Sequence, residues 1–154
     1  MHLIATVIWL GGMGLLLLVI YPLAARDPDR WAALLPPLER RFRPMANLSL
    51  LVLLVTGVVQ TAEDPNYGGL LDFSTPWSQA ILAKHIAFGG MVAIVLFLQF
   101  GLRPAMDRAD LLARKQSDQA TTVQALRRRE QRLTSVNFAL GMVVLFFTAI
   151  ATAI

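Results

Sequence analysis

The chain has 154 residues, of which 56% are hydrophobic, and its formal net charge is +4. This composition is too apolar for a soluble domain, and the length suits one domain, 1–154, rather than two. Cysteine is absent, which excludes disulfides, thiolate metal sites and thiol catalysis. The basic residues flank apolar segments, so the positive charge indicates a membrane protein and not a nucleic-acid-binding one.

Four apolar stretches are each long enough to cross a bilayer as a helix, which takes about 20 apolar residues. They are residues 2–24, 42–62, 77–102 and 133–154. The first stretch lacks the basic leader and the cleavage site of a signal peptide, so we interpret it as a retained span. The sequence therefore predicts an all-α fold, an integral membrane four-helix bundle in contact with the lipid bilayer.

The connections between the spans contain helix breakers and caps. Arg26-Asp-Pro-Asp-Arg30 and Pro36-Pro37 predict the break between spans one and two, and Arg103-Pro104 predicts the end of span three. Ser74-Thr-Pro-Trp77 supplies capping and first-turn residues for span three. Residues 117–132 are predicted to form a cytoplasmic helix that continues into span four.

Charge sets the predicted orientation. Every basic residue except Lys84 lies in residues 26–43 or 103–132, whereas the connection after span two contains acidic residues, among them Asp72, and no basic one. The positive-inside rule then places both termini outside the bacterial cytoplasmic (inner) membrane, with Tyr67, Phe73 and Trp77 at the outer interface. We interpret the arginine run 127–132 as a solvated face close to anionic headgroups, with a protein-docking face as the alternative.

Three polar residues lie where apolar ones are expected: His2 at the start of span one, and Lys84 and His85 inside span three. A charged side chain in the hydrocarbon layer costs about 2.5 kcal/mol or more, so each position is a functional-site hypothesis. His2 and His85 are candidate ligands to heme iron or copper. Lys84 is a candidate partner of a heme propionate, an amine ligand or a proton carrier. The alternatives are a hydrogen-bonded bundle histidine for His85, snorkelling for Lys84 and an interfacial residue for His2.

Small and aromatic residues near these positions suit a bound cofactor. His2, Thr6, Trp9 and Met13 are spaced to share one face of span one, and Gly89, one turn below His85, would let a flat macrocycle approach the backbone. We therefore predict that Trp9 and Gly89 line the cofactor. Since the spans carry no soluble-type catalytic constellation, any chemistry would belong to that cofactor. The pair Thr56-Gly57 in span two predicts a bend or a helix contact. Hydrogen bonds between helices are predicted for four other polar residues of the spans, namely Gln60, Gln99, Asn137 and Thr148.

The motifs carry a family likeness. Span one reads His2-Leu-Ile-Ala-Thr-Val-Ile-Trp9-Leu-Gly-Gly, span two ends Leu-Leu-Val-Thr56-Gly57, and span three contains Ile-Leu-Ala-Lys84-His85. This pattern resembles the copper resistance protein D family of bacterial inner-membrane proteins and, more distantly, the heme-containing membrane protoporphyrinogen oxidases. The first resemblance implies copper handling, and the second implies heme b with His2 and Lys84 as functional residues. The chain departs from the oxidase pattern after Trp9, because span one lacks the proline-arginine pair and the later tyrosine-histidine pair and reads Leu-Val-Ile-Tyr21-Pro22 instead.

These observations favour a heme b-binding redox protein, or a membrane anchor of an oxidoreductase, in which His2 and His85 ligate iron. Its partners would be quinol or other membrane redox subunits, and a homo-oligomer is compatible with the sequence. The first alternative is a copper transport or resistance protein with His2 and His85 as ligands to the copper ion. A protoporphyrinogen oxidase-like enzyme and a structural subunit without a cofactor are the others.

Overall fold

The computed structural model describes residues 1–65, 68–69, 74–113 and 120–153. Within these ranges the chain is almost entirely helical and no residue lies in a strand. Four long helices are apolar enough to cross a membrane, which confirms the all-α membrane fold class. Tyr67, Asp72 and Phe73, which support the predicted outer connection, lie outside the described residues.

Helix α1 consists of five consecutive helical segments from His2–Thr6 to Tyr21–Arg26, two of which, Val7–Gly11 and Leu16–Ile20, have π-helical hydrogen bonding. Its buried side chains recur every three or four residues and so form one stripe: Ala5, Trp9, Met13, Leu16 and Ile20. Large apolar residues on its other faces, such as Leu3 and Leu18, are exposed. This distribution is that of a span with one face against protein and the others against lipid.

Helix α2, Pro28–Ala62, is longer than predicted and corrects the first connection. Its N-cap is Asp27, whose carboxylate accepts a hydrogen bond from the Arg30 backbone N–H at 3.3 Å, and Pro28 is its first residue. The prediction that Pro36-Pro37 breaks the chain is wrong, because the helix passes through both. A proline deprives the carbonyl four residues earlier of its donor. Here those carbonyls belong to the exposed residues 32 and 33, where the environment outside the protein can satisfy them.

Helix α3 consists of Pro76–Leu96, the π-helical segment Phe97–Leu102 and Arg103–Ala113. The predicted cap is confirmed: the Thr75 hydroxyl oxygen accepts a hydrogen bond from the Ser78 backbone N–H at 3.1 Å. Trp77, predicted at the outer interface, is buried. The prediction that Arg103-Pro104 ends this helix is wrong, because the helix passes through Pro104. The carbonyl four residues earlier, which loses its donor, belongs to the exposed Phe100.

Helix α4, Ala120–Ala153, is continuous, which confirms for residues 120–132 the helix predicted to continue into span four. Its buried described residues, Thr134, Asn137 and Gly141, lie at i, i+3 and i+7 and form a narrow stripe of two polar residues and a glycine. The neighbouring apolar positions, among them Val136 and Phe146, are exposed.

The chain divides into two compact units, Met1–Leu82 with Thr148–Ile154, and Ala83–Phe147. In the first unit, three contacts show that α1 and α2 pack as an antiparallel pair: His2 with Thr56, Gly12 with Phe42, and Tyr21 with Glu39, whose carboxylate accepts from the tyrosine hydroxyl at 2.9 Å.

In the second unit, α3 and α4 are also antiparallel neighbours. A methyl group at Gly90 would lie 3.4 Å from Leu140, Arg129 lies 5.4 Å above the ring centre of Phe97, and Arg103 pairs with Glu130 at 3.4 Å.

Candidate functional site

The side chain of His2 is held between α1 and α2. Its Nδ1 lies 2.7 Å from Oγ1 of Thr56, and the two residues are 54 positions apart in the chain. Both side chains are partly buried. This polar contact joins α1 and α2 at the end of α1, where the sequence predicts a ligand. It confirms that Thr56 is a helix-contact residue.

The Thr56 hydroxyl determines which nitrogen of His2 carries the proton. Its Oγ1 lies 2.6 Å from the Val52 carbonyl oxygen, and a carbonyl can only accept, so the single hydroxyl proton is donated there. Nδ1 of His2 must then donate to Oγ1. In a neutral imidazole this leaves the lone pair on Nε2, the form in which histidine commonly binds a metal ion. The Nδ1–H bond fixes the tautomer and the ring orientation, as partners of metal-bound histidines generally do.

Small residues bring the backbones close to the ring. Gly57 follows Thr56, and a methyl group placed on it would lie 3.7 Å from Cε1 of His2. This is ordinary van der Waals contact, so the ring lies directly beside the glycine. Within α1, the Thr6 hydroxyl donates to the His2 backbone carbonyl at 3.0 Å. His2 is therefore positioned through both its ring and its backbone.

The predicted face of α1 is present in part. Trp9 is 2% exposed and Met13 is 8% exposed, so both lie in the core. His2 and Thr6 are only partly buried, at the edge of this stripe. The structure thus places Trp9 on the protein-facing side of α1, and its role in lining a cofactor remains a prediction.

Lys84, His85 and Gly89 lie together on α3, in the second unit. Lys84 and His85 are both partly buried, and as consecutive helical residues they project about 100° apart. Gly89 is exposed, and a methyl group on it would meet no other atom within 4 Å. The space that a flat ligand would need at Gly89 is open, and ligation by His85 and pairing by Lys84 stay predictions.

Among the residues that the structure describes, no group of three or more histidine, aspartate or glutamate side chains could together hold a metal ion. Metal binding by His2 and by His85 remains a prediction.

Asn137 of α4 is a buried polar residue whose predicted hydrogen bonding differs from the structure. It is completely buried, and neither its Oδ1 nor its Nδ2 has a hydrogen-bond partner within the described part of the chain. The predicted inter-helix hydrogen bond of Asn137 is absent there. The sequence gives no signal for this, because it does not show which neighbouring side chains reach a given depth.

Residues 36–151 match the family described as copper resistance protein D. No curated protein and no solved structure matches the chain. The matched segment includes Thr56, Lys84 and His85, and it begins after α1, which carries His2.

Proposed function

Because the chain belongs to the copper resistance protein D family, we propose that this multi-pass membrane protein transports copper, and that His2 is a ligand to the ion in transit. The family supports copper rather than heme as the bound species. Heme b, electron transfer with quinol and protoporphyrinogen oxidation have no support from the comparisons and stay predictions from the sequence.

The observation that carries the assignment of His2 is its hydrogen bond with Thr56. Imidazole nitrogen is a good copper ligand, and the bond to Thr56 orients the ring and assigns the lone pair to Nε2. A ligand in a transport path must bind its ion well enough to admit it and weakly enough to release it. An imidazole at the partly buried end of a span is suited to this exchange.

His85 is the second imidazole that we assign to copper. It lies on α3, about 14 Å along the helix from its first residue, Pro76, at 1.5 Å per residue. In the orientation that the arginine distribution favours, α3 enters from the outside of the bacterial inner membrane, and His85 then lies below the outer surface. His2 and His85 would each contribute an imidazole at a separate copper-binding position.

Copper binding to the purified protein tests this function. We expect metal analysis to find copper without porphyrin, and competition with a Cu(I) chelator to give about tenfold or greater loss of affinity in His2→Ala and in His85→Ala. Tyr21→Phe is the matched control, because it removes a polar contact between α1 and α2 at a different position, and it should keep the wild-type affinity.

Two outcomes would contradict the proposal. A red preparation that gives a positive pyridine hemochrome assay and holds no copper would identify heme as the bound group. Equal copper affinity in wild type and in both histidine variants would remove His2 and His85 as ligands.

A further inference from the structure

An open groove runs along α4 where this helix leaves its apolar segment. It has a volume of about 480 Å³, and the described residues that line it lie on one face of the helix, namely Thr121, Gln124, Ala125, Arg128, Arg129 and Arg132. These positions, at i, i+3, i+4, i+7, i+8 and i+11, extend about 17 Å along the axis. All six side chains are exposed, so the groove is an open surface site and not an enclosed pocket.

The arginines of this groove are not neutralised by the nearby acidic residues. Asp110 lies 3.9 Å from Arg127, which is outside the groove, and Glu130 pairs with Arg103 at 3.4 Å. Within the described residues, Arg128, Arg129 and Arg132 have no carboxylate oxygen within 4 Å. The groove therefore presents three positive charges on about one and a half turns of helix.

One of these arginines is also held in place by the protein. The Arg129 guanidinium lies 5.4 Å above the ring centre of Phe97, within the range of a cation–π contact. Such a contact restricts the guanidinium before any ligand arrives, which lowers the ordering cost of binding. Guanidinium groups donate pairs of hydrogen bonds that match the geometry of phosphate oxygens.

The position of the groove along α4 favours the phosphate of a lipid headgroup over free phosphate. Arg132 directly precedes the apolar residues of the same helix, which begin at Leu133, so it lies at the level of lipid headgroups. Arg128 and Arg129 lie about one turn farther from the apolar segment, within reach of the same headgroup phosphate. We propose that this groove is a binding site for the headgroup of an anionic phospholipid, and this inference is independent of copper binding.

Lipid retention by the full chain tests the site. The probe is phosphatidylglycerol, offered with an equal amount of phosphatidylcholine in detergent micelles and measured by native mass spectrometry. One arginine near an anionic surface contributes about fivefold in affinity, so Arg132→Gln should weaken phosphatidylglycerol binding about fivefold and Arg128→Gln with Arg132→Gln about 30-fold. Arg132→Lys should retain part of the affinity, because it keeps the charge and loses the paired donors.

Arg127→Gln is the matched control, because it removes the same charge from the same helix outside the groove. We expect it to change binding by less than about twofold, since its charge is already paired. Equal losses in Arg127→Gln and Arg132→Gln would show a diffuse surface charge instead of a site.

Three further results would overturn the proposal. One is equal retention of phosphatidylglycerol and phosphatidylcholine by wild type. Another is complete displacement of the lipid by millimolar inorganic phosphate, which would identify free phosphate as the ligand. The third is binding of poly-glutamate without any lipid preference, which would identify an acidic protein segment as the occupant.

Discussion

Replacing Thr56 by valine should weaken copper binding about tenfold while leaving the helices assembled. The substitution keeps the shape of the side chain and removes the oxygen that accepts from Nδ1 of His2 at 2.7 Å. A hydrogen bond between membrane helices is worth about 0.6 kcal/mol on average and about 1.7 kcal/mol at most, which corresponds to about threefold to 16-fold in affinity. Loss of a partner that orients a metal-bound histidine typically costs about 10- to 100-fold. The two ranges overlap near tenfold.

Thr61→Val is the control for this measurement. Thr61 lies on the same helix, is buried, and donates its hydroxyl proton to a backbone carbonyl four residues earlier, as Thr56 does, at 2.9 Å from the Gly57 oxygen. Chelator competition on both purified variants should show the loss only in Thr56→Val, and Thr56→Ser should restore the affinity. If Thr56→Val keeps the wild-type copper affinity, or if Thr61→Val loses as much copper affinity as Thr56→Val, then the hydrogen bond from His2 to Thr56 does not determine copper binding.

Four substitutions test packing and a surface ion pair by thermal unfolding in detergent. Gly12→Ala should destabilise the protein by about 1–3 kcal/mol, because the added methyl group overlaps the Phe42 ring. In the neighbouring Gly11→Ala the methyl group meets open space, so this control should be neutral or stabilising. Equal unfolding midpoints of the two variants would contradict this. Asn137→Leu should stabilise by about 1–3 kcal/mol, since it removes a buried amide without a described partner, and a lower midpoint would show that the amide is satisfied. Asp110→Asn should change stability by less than about 1 kcal/mol, because its pair with Arg127 is about half exposed, and a larger loss would contradict that.

The fold class could be predicted from the sequence because bilayer thickness sets a minimum apolar length, and four stretches meet it. Helix ends could not be predicted equally well. Pro36-Pro37 and Pro104 are predicted to stop helices, but a proline costs less where the carbonyl that loses its donor belongs to an exposed residue. The sequence shows that a proline is present and does not show whether that carbonyl is exposed.

The candidate site could be predicted only as single residues. His2 stands out because an imidazole is costly in an apolar segment, and this needs no knowledge of its neighbours. Thr56 reaches His2 only because α1 packs antiparallel to α2. The sequence therefore predicts Thr56 as a bend or a helix contact, and its hydrogen bond to His2 is visible only in the packed structure. The absent partner of Asn137 was unpredictable for the same reason, because hydrogen bonding across helices is a property of the packed pair.

The contact between His2 and Thr56 connects a residue outside the matched segment with one inside it. If Thr56 contributes to copper binding only by orienting His2, then its substitution should lower the affinity in the wild-type background and have no further effect in His2→Ala. A double-mutant cycle on chelator affinities measures this coupling directly. Additive losses would mean that Thr56 acts on copper independently of the imidazole, and α1 would then serve as a packing partner for α2 rather than as part of the transport path.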